Sequence, residues 1–360
     1  MYKYIIKPLL FILNIEHAHR LAIAALQLLG RMPGGRWLLH GLYAVEHPSL
    51  EREVFGLKFP NPVGLAAGFD RNGDVYRELS AMGFGFVEVG TVTPRPQNGN
   101  QRPRMFRLPD DRAIVNRSGF VSKGLERVIS NLRRDHEGII VGCNIGNNAA
   151  ASLQNAAGDY LKCFRNLYQY ADYFTVNINY NSASADFAPK SREEVLALLK
   201  PLFDFRRGQN QYRPILMKIT PDLDDDDVDL LTDIMIQTPL DGIVATNATA
   251  TRENMCSSRK DITACGMGTV SGRPLTQRSI EIVRRIVERS KGTYPIIGSG
   301  GMMSAQDVKD MLAAGASLVQ VYTGFIYEGP RIAGDICRAL LPPKGSKTAA
   351  GQPKINRSEE

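Results

Sequence analysis

From about residue 51 onward, short apolar runs rich in β-branched residues recur along the chain, each followed by a stretch with helical spacing of its apolar positions. The runs cover residues 63–67, 86–90, 139–144, 173–177, 215–219, 242–247, 295–298 and 318–322. Near-continuous apolar runs mark strands covered on both faces, so the pattern predicts a wholly parallel sheet coated with helices. Eight such units between residues 51 and 342 fit a closed (β/α)8 barrel, the TIM barrel of the α/β class, better than an open sheet.

Ahead of residue 46 the rhythm differs. Tyr4, Ile5, Leu9, Ile12 and Leu13 fall on one side of a first helix. Leu21, Ala24, Ala25, Leu28 and Leu29 recur at helical spacing in a second, which starts near Glu16 and is expected to end at Gly30 and the following Pro33-Gly34-Gly35 break. A short third helix carries Trp37, Leu38, Leu39 and Leu42. Residues 1–45 are thus an amphipathic helical extension, 46–342 the barrel, and 343–360 a flexible tail with little to bury. The extension reads either as a cap packed on the barrel or as an interfacial hairpin, with Lys3, Lys7, Arg20, Arg31 and Arg36 at headgroup level. Lys7 and Pro8 interrupt its first apolar stretch, which is far short of the roughly 20 residues of a spanning helix. No small-residue cleavage site follows, so no signal peptide is expected. Two long connections stand out: 91–118, with a hairpin-like 105–108 and 113–115, and the polar, Gly-containing loop 248–274.

Composition changes this picture little. With 43% hydrophobic and 22% charged residues, the chain is an ordinary globular protein. A net charge of +7 over 360 residues, with no Lys/Arg run and no interleaved aromatics, gives no reason to expect nucleic acid as a partner. The five cysteines, Cys143, Cys163, Cys256, Cys265 and Cys337, form no CxxC pair, which suits neither a zinc site nor a disulfide framework. Reduced thiols in a cytosolic compartment and no metal are the expectation.

The candidate chemistry gathers where strands end. Strand one runs into Ala66-Ala67-Gly68-Phe69-Asp70-Arg71, strand two into Thr91, strand three into Asn144, strand four into Asn177; strand five carries Lys218, and strand six ends at Thr246-Asn247. Any one of these serves as a cap or turn residue elsewhere. An Asn or Lys at four consecutive strand ends is harder to ascribe to turns, because buried polar groups left unpaired cost about 1–3 kcal/mol each. Strands seven and eight end in Gly298-Ser299-Gly300-Gly301 and Tyr322-Thr323-Gly324, where the fold usually cradles phosphate. A phosphate-bearing cofactor is the expectation, set against turn glycines alone.

With these residues in place the sequence resembles the quinone-using, membrane-associated class 2 dihydroorotate dehydrogenases over about residues 1–342. The resemblance is carried by Asn61-Pro62-Val63-Gly64-Leu65-Ala66-Ala67-Gly68, by Gly90-Thr91-Val92-Thr93-Pro94 and its continuation to Asn100, and by Arg102-Pro103-Arg104-Met105-Phe106-Arg107-Leu108. Asn116-Arg117-Ser118-Gly119-Phe120, Ser271-Gly272-Arg273-Pro274-Leu275 and Gly298-Ser299-Gly300-Gly301 follow in family order. The resemblance implies FMN, held by Ala66, Ala67, Gly68, Thr91, Asn144, Asn177, Lys218, Thr246, Gly272, Gly300, Gly301, Tyr322 and Thr323. It implies a pyrimidine-like acid as substrate, at Arg71, Asn116, Phe120, Asn177 and Asn247. It also implies a quinone reached through the N-terminal extension near His19, Arg107 and Tyr322, at the cytoplasmic face of a membrane. His19 in isolation would read as an ordinary surface histidine; its setting in Glu16-His17-Ala18-His19-Arg20 is what matches.

The substrate side departs from the family's pattern. Arg71 stands where the family has Lys, and Ala248 where it has Thr. The family run Asn-Ile-Ser-Ser-Pro-Asn-Thr reads Asn177-Ile178-Asn179-Tyr180-Asn181-Ser182-Ala183 here. Tyr180 thus takes the position of the catalytic serine and Ser182 that of a substrate-binding asparagine. A phenol, with a pKa near 10, is a weak base unless its surroundings lower it. Three readings follow: a working dihydroorotate dehydrogenase using Tyr180 or Ser182 together with Lys218; an FMN oxidoreductase with another substrate; and a flavin-holding protein without turnover.

Overall fold

The computed structural model describes residues 2–133, 138–149, 151, 153–178, 191–253 and 255–343. Eight parallel strands close a barrel in chain order: β1 (Val63–Leu65), β2 (Phe86–Val92), β3 (Ile140–Ile145), β4 (Tyr173–Asn177), β5 (Ile215–Ile219), β6 (Gly242–Ala245), β7 (Ile296–Ser299) and β8 (Leu318–Val321), with β8 pairing back onto β1. The predicted TIM barrel is the observed fold, and two of the eight predicted runs, 173–177 and 215–219, coincide with their strands to the residue.

Alternation along each strand sorts residues by height inside the barrel. At the amino-terminal end Phe86, Tyr173, Leu216, Val244, Ile297 and Leu318 form an apolar plug. A small antiparallel hairpin, Arg52–Val54 with Leu57–Phe59, closes it by contributing Val54 and Phe59. Two residues higher on alternate strands β2, β4 and β8, Glu88, Thr175 and Gln320 make a polar layer, each no more than 1% exposed. Above that, the strand ends carry Asn144, Asn177, Lys218 and Thr246, all buried. The barrel therefore grades from oil to amides to an open mouth along its axis.

Three N-terminal helices follow a π-helical turn, Tyr2–Ile6: α1 (Lys7–Ile12), α2 (Ile15–Arg31) and α3 (Gly35–Tyr43). The Asn14 side chain caps α2 by accepting from the Glu16 N–H at 2.9 Å. Helix α2 stops at the expected Met32-Pro33-Gly34-Gly35 break, its last residue Arg31 lying one past Gly30. A Cβ at Gly30 would strike the Glu78 carboxyl group of the neighbouring helix Tyr76–Ala81, so this glycine permits close helix packing. Ile15, Ala18, Leu26 and Leu39 of the extension are buried. Tyr4 is 86% exposed, Ile12 82% and Trp37 79%. Among the described residues, every exposed large apolar side chain except Tyr212 and Met267 lies between Tyr4 and Leu42. The cap and the open apolar face are both real: one side packs on the barrel and the other faces outward.

The connection 91–118 contains the expected hairpin, Met105–Leu108 with Ala113–Asn116. The loop 248–274 is more ordered than its polarity implied. It forms a helix, Arg259–Cys265, and a strand, Thr269–Gly272, that pairs antiparallel with Ala113–Asn116 to complete a three-stranded sheet. A four-residue strand whose exposed face is polar gives too little alternation to be legible. The five cysteines are free thiols, and all but Cys256 are buried. The expected tail lies almost wholly outside the described residues.

Candidate active site

A cavity of about 510 Å³ opens at the carboxyl ends of the strands. Every residue expected to hold the cofactor lines it, as do Arg71, Asn116, Phe120 and Asn247. Residues separated by up to about 250 positions in sequence thus meet in one mouth because each ends or follows a barrel strand. Tyr180 and Ser182 lie outside the described residues.

A chain of amides runs across the cavity floor. Asn144 donates to Glu88 Oε1 at 2.8 Å and accepts from the Thr91 hydroxyl at 2.7 Å. The Asn177 amide donates to the same Asn144 oxygen at 3.4 Å and to Thr91 Oγ1 at 3.3 Å. Asn247 donates to Asn177 Oδ1 at 3.5 Å, and its own oxygen accepts from the Ala248 N–H at 2.9 Å. Lys218 is only 6% exposed; burial pushes its ammonium pKa down, and the Glu88 carboxylate opposes that shift.

The rim is glycine-rich for steric reasons. Gly300 (φ +94°) and Gly301 (φ +78°) adopt backbone that side chains avoid, and a Cβ at Gly301 would run into the Thr276 backbone. The Thr276 hydroxyl donates to Gly301 O at 2.8 Å. Thr246 and Ser279 share a hydroxyl–hydroxyl bond of 2.8 Å, and Thr323 donates to Ser271 at 2.8 Å.

After β1, buried Asp70 accepts from the N–H groups of Asp74 (2.7 Å) and Val75 (2.8 Å) and so fixes the turn that aims Arg71. Burial pushes its carboxyl pKa up to about 6, against those two backbone bonds. Arg71 Nε donates to Gly68 O at 3.1 Å. Helix α2 reaches this turn: His19 Nε2 lies 2.7 Å from Phe69 O. Arg107 sits further out, donating to Leu13 O at 2.7 Å and Leu10 O at 3.2 Å, with its guanidinium 4.5 Å from the Phe11 ring centre. His19 and Arg107 do not line the cavity; Tyr322 does, 3.3 Å from where a Gly68 Cβ would stand.

Residues 49–342 match the family model described as Dihydroorotate dehydrogenase. The chain belongs to the dihydroorotate dehydrogenase family. It is 43% identical over 341 residues to a protein of Christiangramia forsetii named Dihydroorotate dehydrogenase (quinone), covering 95% of this chain and 99% of that one. A relative with the same name from Cellvibrio japonicus is 41% identical over 336 residues, 92% of this chain and 96% of its own length. Among solved structures, the Eimeria tenella DHODH in complex with ferulenol superposes with a TM-score of 0.79 at 32% identity, over 91% of this chain and 90% of that one.

Within this family frame, Arg71 and Ala248, two of the departures from the expected pattern, both face the cavity. Sequence reasoning missed Glu88 and Thr175, beneath the floor, and Gln320 beside them, which also lines the cavity. The signal was present: Glu88 stands between Val87 and Val89 in the otherwise apolar run 86–90, and such a residue is buried only if partners surround it.

Proposed function

We propose that this chain oxidises dihydroorotate to orotate and delivers the two electrons to a quinone, with FMN held at the mouth of the barrel. The observation that carries this reading is the convergence of buried Lys218, the amide chain and the Gly300–Gly301 rim on a single cavity, in a chain homologous along nearly its whole length to quinone-named relatives. The residues fit FMN. Two consecutive glycines at positive φ leave room for a phosphate against backbone, and a buried ammonium suits an electron-rich ring system. Bound FMN supplies the hydride acceptor between substrate and quinone.

The remaining work falls to side chains of this chain. The Arg71 guanidinium offers a fork for the substrate carboxylate, while Asn116, Asn177 and Asn247 offer amide donors and acceptors for the pyrimidine ring and Phe120 a wall. Loss of a proton from ring C5 needs a base, and Tyr180, at the position of the family's serine, is assigned that role, with Ser182, two positions on in the sequence, as the alternative. For Tyr180 to act, its phenol must be lowered from about 10 by its surroundings. His19, Arg107 and Tyr322 mark the path of the quinone between the extension and the cavity. The outward apolar face of α1–α3 lies on a bilayer, with basic residues at headgroup level. Among the described residues no helix is long and apolar enough to cross a membrane.

A diverged flavoprotein with another substrate is the weaker reading, since curated relatives at about 40% identity along the chain carry the quinone dehydrogenase name. Anaerobic titration of the purified protein with dihydroorotate tests the proposal: the visible flavin band should bleach. A flavin-loaded protein that stays yellow sinks it.

A further inference from the structure

Glu88 is fully buried on β2, one layer beneath the cofactor cavity, and four donors converge on its carboxyl group. Asn144 Nδ2 reaches Oε1 at 2.8 Å; Gln320 Nε2 (2.7 Å), Thr175 Oγ1 (3.0 Å) and the Tyr173 hydroxyl (3.2 Å) reach Oε2. Two of these partners are side-chain amides and two are hydroxyls. This shell suits a carboxylate, which accepts at about four lone-pair sites and donates at none.

The consequence is directional. Because a carboxylate only accepts, the Asn144 amide must turn its NH2 down toward Glu88 and its oxygen up. The Asn144 oxygen then takes the Thr91 hydroxyl and the Asn177 NH2. That in turn leaves the Asn177 oxygen to take the Asn247 NH2. One buried charge thus sets the polarity of three successive amides, ending at residues expected to face the substrate. We propose that Glu88 is the positioning residue of this site: through Asn144 it fixes which way the Thr91, Asn177 and Asn247 groups present donors and acceptors, and its charge balances that of Lys218 across the floor. This rests on the FMN reading above. Two further observations agree. Burial pushes the Lys218 pKa down and Glu88 works against it. The plug below and the barrel wall around leave Glu88 no route to solvent, so its charge is screened little. A purely structural role would be met by any residue that filled the space, as the apolar layer beneath does.

The test uses the full-length holoprotein. Wild type, Glu88→Gln, Glu88→Asp and Thr175→Val are compared for FMN retained after ultrafiltration and for the midpoint potential of the bound flavin. Glu88→Gln removes the charge and lets Asn144 turn over. FMN retention should fall about tenfold, and the potential should rise by about 30 mV, the equivalent of a tenfold change in relative affinity for the two redox states. Glu88→Asp keeps the charge but is too short to hold Asn144, so retention falls while the potential stays near the wild-type value. Thr175→Val takes one donor from Glu88 without touching charge or relay; it loses thermal stability and leaves the potential unchanged. A Glu88→Gln protein with wild-type potential, or a lowered one, overturns the proposal. If Glu88→Gln yields no folded protein, Glu88→Asp decides, and undiminished FMN retention in that variant overturns the proposal equally. Wild-type protein that takes up no FMN would instead bring down the reading on which this rests.

Discussion

His19 on helix α2 and Phe69 in the turn after β1 are joined twice: His19 Nε2 lies 2.7 Å from the Phe69 carbonyl, and the two rings meet edge to face with centroids 5.1 Å apart. A carbonyl only accepts, so Nε2 carries the proton and the neutral imidazole is the Nε2–H tautomer. Burial first, then the Arg71 guanidinium, push the His19 pKa down to about 4.

That depression has a sign. Between about 4 and the unfolded value of 6.5 the unfolded chain binds more protons at His19 than the folded one, so this contribution is complete above pH 6.5 and is lost as pH falls toward 4. The loss is at most about 3 kcal/mol. His19→Gln, which cannot titrate, should therefore be most destabilised relative to wild type at pH 7, with the gap in Tm narrowing as pH falls toward 4.5. A gap independent of pH would show that His19 is not held neutral.

Arg107 supplies the donors for the carbonyls that end α1 and stacks on Phe11. Arg107→Ala should loosen α1 at a local cost of about 1–3 kcal/mol, visible as faster proteolysis near residue 13. The KM for a quinone should rise while flavin bleaching by dihydroorotate keeps its rate, because Arg107 stands outside the cavity. Equal loss in both half-reactions would contradict the assigned path.

Gly301 cannot accept a side chain without moving the Thr276 backbone. Gly301→Ala should cost about 1–3 kcal/mol in backbone strain and release most of the flavin. Absorbance at 450 nm per mole of purified protein measures this, and a fully loaded variant would show that the phosphate sits elsewhere.

Tyr180→Phe keeps the ring and removes the only acid–base group at the position of the family's serine. Flavin reduction by dihydroorotate should slow by about 10²–10⁴-fold, with FMN content unchanged. Ser182→Ala should mainly raise the KM. If the Phe variant reduces at the wild-type rate, the base is another group.

The outward face of the extension makes its own prediction. Ile12→Asp combined with Trp37→Glu should abolish co-sedimentation with anionic phospholipid vesicles and leave turnover with a water-soluble quinone intact. These two side chains are 82% and 79% exposed, so the folded protein should tolerate the change.

The sequence by itself determined the barrel, because strand runs such as 173–177 and 215–219 are local patterns: burial on both faces forces continuous apolar residues whatever the rest of the chain does. It also determined strand-end residues such as Asn144, Asn177, Lys218 and Thr246, which line the cavity. Three things only the tertiary structure decided. Gly30 reads locally as a helix stop, yet its reason is the Glu78 side chain on another helix. The strand Thr269–Gly272 exists because Ala113–Asn116 offers it a ladder from more than 150 positions away. Glu88 looks like a fault in an apolar strand until β3, β4 and β8 bring it four donors. Each depends on a partner distant in sequence. Periodicity records which face of an element is buried, but only closure of the barrel decides what is buried against it.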